Sequence, residues 1–194
     1  DGLIISTACL GGEIPQAILK GRIDVAENTA IWYKKLFGDD FYLEIQDHGS
    51  IEDRIVNVEL IRIGKEHQIK VIATNDAHYI SNMDVEAHDA LLCVLTGKLI
   101  SDEKRLRYTG TEYIKSEDEM LSLFNDHIDK ESIKEAINNT VEVSQKIEEF
   151  ELFGTYRMPK FPLKDENDSL SFLTKITKQG LLSRLNKTNL DEVD

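Results

Sequence analysis

A chain of 194 residues with 41% hydrophobic side chains can build one domain of ordinary size, or one domain plus an extension. Its formal net charge of −13 excludes it as a main nucleic-acid-gripping surface, because phosphate contacts need lysine and arginine. Two cysteines without metal-type spacing make no disulfide framework and point to a reducing, cytoplasmic setting; no apolar run reaches the ~18 residues of a membrane span, and no signal-peptide pattern is present.

The first element expected is a strand at 3–6, directly after Asp1. An opening on a buried strand without an initial Met suggests a cut through a larger domain. Gly11-Gly12 breaks the strand, Pro15 suits the first turn of a short helix, and Gly21 ends it. Asp24 is expected to cap a helix running to about Leu36, with Ala26, Ala30 and Tyr33 on one stripe and Trp32 and Tyr33 in the core. Gly38 stops that helix. Residues 41–46 alternate, with Phe41, Leu43 and Ile45 opposite Tyr42, Glu44 and Gln46, which is the period of a strand. A helix over 51–67 follows, with Ile55, Val58, Leu60, Ile61 and Ile63 as its apolar positions. The strand 71–74 then completes a strand–helix–strand unit of a parallel sheet.

Asp84 is expected to cap a helix to about Leu95, with Cys93 in its core face. Residues 97–110 read as an irregular, exposed loop carrying Lys98, Lys104, Arg105 and Arg107. A short strand is expected at 112–114. Ser116 and Glu119 form a capping box before the helix 120–124, and a longer helix covers 130–147. Organisation changes near Phe150. Residues 151–168 hold Pro159 and Pro162 and read as an extended linker. A last helix, over 169–185, carries Leu170, Leu173, Ile176 and Leu181.

The chemistry sits at the strand ends. His48 follows the strand 41–46, and Asp76 and His78 follow the strand 71–74, where α/β folds place their ligands. Imidazole and carboxylate suit Zn²⁺, Mn²⁺ or Fe²⁺. In an extended segment Asp76 and His78 point the same way, and neighbouring strands lie ~4.8 Å apart, so the three could converge on one ion. An Asp-x-His pair also occurs in plain surface turns, and three ligands underfill a multinuclear hydrolytic site. The residues by themselves leave both readings open. His88 reads as a packing or supporting group, Glu44 as either an interior or a solvent-facing residue, and His67 and His127 as surface residues.

GLIISTACLGGEIP (2–15), FYLEIQDHG (41–49), VIATNDAHYI (71–80) and EAHDALLCVLTGK (86–98) resemble the second half of the PHP domain of the alpha-subunit family of bacterial DNA polymerase III, the C-family replicative polymerases. TEYIKSEDEMLSLF (111–124), NTVEV (139–143) and MPKFP (158–162) fit the same family. The resemblance implies an α/β fold: part of a PHP-type distorted (β/α)7 barrel over 1–150, a linker over 151–168 and the start of the polymerase module over 169–194. It implies that His48, Asp76 and His78 match three metal ligands of the barrel, with the remaining ligands, including a His-x-His pair, in a first half that this sequence lacks. It further implies a divalent metal (Zn, Mn or Fe) at the PHP site, associated with 3′–5′ exonuclease proofreading, and Mg at a polymerase site outside this chain. The implied partners are DNA, the sliding clamp and other replisome subunits, with no membrane. A half-barrel also predicts self-association. Two readings compete: a stand-alone PHP-type phosphoesterase, against which the linker and final helix argue, and a non-catalytic PHP scaffold for the polymerase or a proofreading partner.

Overall fold

The computed structural model describes residues 2–151, 153–156, 158–159, 162–163 and 168–190. The chain divides into two compact units, Asp1–Glu148 and Glu149–Asp194.

The first unit is built on three parallel strands in the order β1 (Ile5–Ser6), β2 (Phe41–Ile45), β3 (Val71–Ala73). Ser6 lies opposite Tyr42, and Ile45 lies opposite Ala73. Pairing runs on past the strands, since Thr7 N–H donates to the Tyr42 carbonyl (3.2 Å) and Thr74 N–H to that of Ile45 (3.0 Å). Between β1 and β2 come α1 (Glu13–Leu19) and α2 (Ile23–Phe37), and between β2 and β3 comes α3 (Ile51–His67). This is the crossover order of a parallel sheet, compatible with part of a (β/α) barrel. After β3 follow α4 (Val85–Thr96), α5 (Glu117–Phe124) and α6 (Lys130–Gln145), with α6 packed on β3.

The two faces of β2 are treated differently. Phe41, Leu43 and Ile45 enter the apolar core with Ile14 and Ile18 of α1, Ala26 and Ala30 of α2, Leu60 and Ile63 of α3, and Phe124 and Ile133. On the opposite face Tyr42 is fully buried as well, its hydroxyl donating to Glu142 of α6 (3.0 Å). Alternation in this strand therefore separates an apolar face from a polar one, and not a buried face from a solvated one, as happens when both faces of a sheet are covered.

Helix boundaries have local causes. α3 starts at a reciprocal capping box between Ser50 and Asp53 and ends at Gln68 in the left-handed conformation (φ 54°). The Ser116–Glu119 box is present at α5 as expected. Asp24 is not the cap of α2; Arg22 holds that position without a side-chain bond, and Asp24 lies in the first turn. Asp84 likewise makes no cap bond to α4 and instead closes the short turn Asn82–Asp84 by accepting from Ser81 N–H (2.9 Å). Ile55 and Val58 face solvent, and α3 buries Val56, Asn57, Leu60, Ile61, Ile63 and Gly64 instead. Trp32 is 57% exposed and is not a core residue, while Tyr33 stacks on Phe37 and Phe41. The expected strand at 112–114 is a single parallel bridge, Tyr79 to Tyr113.

In the second unit, α7 (Ser169–Leu185) starts at Asp168, which accepts from Ser171 N–H (2.9 Å). Part of the stretch 151–168 lies outside the described residues. Among the described residues, no helix is long and apolar enough to cross a membrane.

Candidate metal centre

Because the three strands are parallel, their C-terminal ends share one edge. Three loops leave that edge, carrying Ala8 and Cys9 after β1, Asp47 and His48 after β2, and Asp76 and His78 after β3. Two of these loops hold non-glycine residues at positive φ, Ala8 at 56° and Asp76 at 46°. Side-chain crowding makes this region costly, more so for alanine than for aspartate, and such residues cluster at functional sites.

Asp76 and His78 meet, with carboxylate Oδ2 3.4 Å from His78 Nε2. They do so although Asp76 is left-handed and the segment is not extended. The His78 ring packs on Tyr108, with centroids 4.3 Å apart, and on His88 at 5.6 Å. His88 thus supports the loop from α4, as expected for a packing residue.

His48 lies on the same edge but is engaged elsewhere. Its Nδ1 is 3.0 Å from Thr111 Oγ1 and 3.6 Å from Glu112 Oε1. Glu112 is only 3% exposed. Its carboxylate accepts from Thr109 Oγ1 (2.7 Å), Thr109 N–H (3.0 Å), Gly110 N–H (3.0 Å) and the Tyr79 hydroxyl (3.1 Å). Burial pushes its pKa up, but the bonds from Thr109, from the local backbone and from Tyr79 outweigh burial and bring it down to about 2. The Glu112 carbonyl accepts from His78 N–H (2.8 Å) and Tyr79 N–H (3.3 Å). Asn75 adds bonds to the carbonyls of Thr111 (3.0 Å) and Tyr113 (2.6 Å). The segment 109–115 is therefore the support of both histidine loops.

Across the sheet beneath this edge, Glu44 accepts from Ser6 Oγ (2.5 Å), Thr74 Oγ1 (2.5 Å) and Gln46 Nε2 (3.0 Å). Glu44 is half-buried and turned towards these neighbours.

Among the described residues, two mixed groups bring all their ligand atoms within 4.8 Å of one another: Asp47, Asp126 and His127, and Glu27, Glu66 and His67. The set His48, Asp76 and His78 shares an edge without closing to that distance. The carboxylates of both compact groups already have protein partners, while His67 Nε2 is buried without one among the described residues. Arg62 bridges Glu27 and Glu66. In the other group, His127 Nδ1 is 2.6 Å from Asp126, which pairs with Arg54 (2.8 Å), and His127 Nε2 is 3.3 Å from Asn57 Nδ2. His127, expected at the surface, has a side chain only 9% exposed, and its Nδ1 lies 3.9 Å from Asp47 just after β2.

In the loop 97–110, Lys98, Lys104 and Arg107 are exposed as expected, and Arg105 is the exception. The Arg105 side chain is 1% exposed and forks onto Asp89 of α4 through two bonds, one of 2.6 Å. Cys9, which has no sequence partner at metal spacing, is an exposed thiol on the β1 loop of the same edge. Only the parallel order of the strands relates it to His48, Asp76 and His78, so spacing had no means of finding it.

A PHP-domain family profile matches residues 1–48. The chain is 40% identical over 187 residues to the DNA polymerase III subunit alpha of Borreliella burgdorferi, covering 95% of this chain and 16% of the relative. It is 36% identical over 188 residues to that of Thermus aquaticus, covering 95% and 15%. With the Campylobacter jejuni subunit it shares 41% identity over 158 residues, covering 75% and 13%. The chain thus spans about one-sixth of the length of the curated relatives it matches.

Proposed function

Related over nearly its whole length to a segment of the bacterial DNA polymerase III alpha subunits, the chain is one from which we propose a piece of a replicative DNA polymerase. In this reading residues 1–150 are the C-terminal part of a PHP domain, 151–168 a linker and 169–194 the start of the polymerase module. The whole protein would catalyse DNA-directed DNA synthesis in the cytoplasm, with DNA, a sliding clamp and other replisome subunits as partners, and with Mg at a polymerase site outside this chain. The charge of −13 agrees with a DNA-gripping surface elsewhere in such a protein.

The PHP part would contribute metal-dependent hydrolysis of 3′-terminal phosphodiesters, that is, proofreading. The observation that carries this reading is the delivery of His48, Asp76 and His78 to one edge of a parallel sheet, each on the loop after a strand. These donors suit a divalent Zn, Mn or Fe ion, and the exposed Cys9 thiol on the same edge is a further donor of the right kind. A metal held there would polarise a phosphoryl oxygen and activate water. The chain's own residues would orient the donors: Thr111 faces His48 Nδ1, and Tyr108 and His88 hold the His78 ring.

One observation favours a second reading, in which the PHP part is a scaffold. The three donors do not close to within 4.8 Å of one another. The test that separates the two is His78→Ala in the full-length polymerase. The hydrolytic reading expects metal-dependent 3′-end cleavage to fall at least tenfold, a loss of about 1.4 kcal/mol in transition-state stabilisation, with nucleotide addition unchanged. Cleavage at the wild-type rate would leave the scaffold.

A further inference from the structure

Taking His48 as a donor of that edge, and so resting on the reading above, we propose that Glu112 is a positioning residue. Through the hydroxyls of Thr109 and Thr111 it fixes the tautomer of His48, so that Nδ1 carries the proton and the Nε2 lone pair is free for a divalent cation.

The assignment follows from counting protons along a chain of contacts. The Glu112 carboxylate faces donors only: Thr109 N–H, Gly110 N–H, the Tyr79 hydroxyl and the Thr109 hydroxyl. An ionised carboxylate has no proton to give, so Thr109 Oγ1 must donate across its 2.7 Å contact to Oε1. A hydroxyl has one proton. Thr109 Oγ1 must therefore accept across its 2.7 Å contact with Thr111 Oγ1, and Thr111 donates. The Thr111 proton is then spent, and its oxygen accepts across the 3.0 Å contact with His48 Nδ1. That contact needs a proton on Nδ1. The carboxylate oxygen 3.6 Å from Nδ1 favours the same arrangement. Reversing the order would require Glu112 to be protonated in the face of three other donors.

The device is of the kind that orients imidazole ligands, in which the nitrogen away from the metal donates to an oxygen. Here a two-hydroxyl relay stands between the ring and the carboxylate. The Glu112 carbonyl meanwhile accepts from His78 N–H, so one residue governs both histidine loops.

The test is ¹⁵N NMR of the 194-residue chain labelled at histidine, kept metal-free with chelator, at a pH above the ring titration. His48→Gln identifies the signal. The proposal expects a protonated Nδ1 and an unprotonated Nε2 for His48. Thr111→Val, Thr109→Val and Glu112→Leu should each lose that pattern, and Thr111→Ser should keep it. A merely structural role for these residues would not sort the variants by the oxygen they retain. A His48 protonated at Nε2, or a Thr111→Val spectrum like the wild type, overturns the relay; if Glu112→Leu does not fold, the two threonine positions decide it. Titration with Zn²⁺ and Mn²⁺ then separates the two readings. The expected tautomer with no binding at the edge overturns the metal site and leaves the relay standing; metal binding with the opposite tautomer overturns the relay only.

Discussion

Glu112 holds a negative charge out of water because four donors converge on it, and this makes acid sensitivity a property of one residue. Its pKa falls from the usual 4.5 to about 2 on folding, so the folded form binds its proton less tightly than the unfolded form. The stabilisation is therefore complete above pH 4.5 and is lost as pH falls from there towards 2. Its full size is on the order of 3 kcal/mol. Urea denaturation between pH 7 and pH 3 should show Glu112→Gln losing less stability with acid than the wild type; parallel losses would show that the charge is not held this way. None of this was legible locally. Thr109, Thr111 and Glu112 look like a polar loop until His48, 63 residues from Thr111 in the chain, is brought against them. The burial of His127 and Arg105 escapes the sequence for the same reason, since it depends on Asn57 and Asp89, which spacing does not connect to them.

At the scale of elements, capping chemistry and period were sufficient for most boundaries and insufficient for faces. The Ser116–Glu119 box, the positive-φ Gly38 after α2 and the full extent of α3 could be read from neighbours in sequence. Which side of α3 turns inward could not, because Ile55 and Val58 are as apolar as the residues that are buried. Gly64 shows what the tertiary contact demands. A Cβ there would stand 2.8 Å from Val71 Cγ2 and 2.9 Å from the Ile69 carbonyl, so β3 runs against the bare backbone of α3. In an exposed helix, Gly→Ala gains about 1 kcal/mol. Here Gly64→Ala is expected to cost on the order of 1–3 kcal/mol, because the neighbours that must shift include backbone. Denaturant midpoints of the two proteins measure the sign.

At the scale of the whole molecule, the first unit has a half-buried sheet edge and much uncovered apolar surface. Among the described residues β1 pairs with β2 on one side only. Ile80, Met83, Leu91, Val94 and Leu95, on and beside α4, are exposed. Open edges and apolar patches are templates for association. The expected outcome is concentration-dependent self-association of the chain, strengthened by salt as repulsion between copies carrying −13 each is screened. Sedimentation velocity across a concentration series tests it, and a monomer throughout would count against it.

The sequence by itself determined the order of strands and helices, the placement of His48, Asp76 and His78 just after strands, and the resemblance to the alpha-subunit family. Those properties rest on periodicity, caps and motifs, which span a few residues at a time. Tertiary structure decided which distant groups meet: His48 with Thr111 and Glu112, Glu44 with Ser6 and Thr74. It also decided that Cys9 shares their edge. These pairings join residues far apart in the chain, and only the register of a parallel sheet brings them within hydrogen-bonding distance.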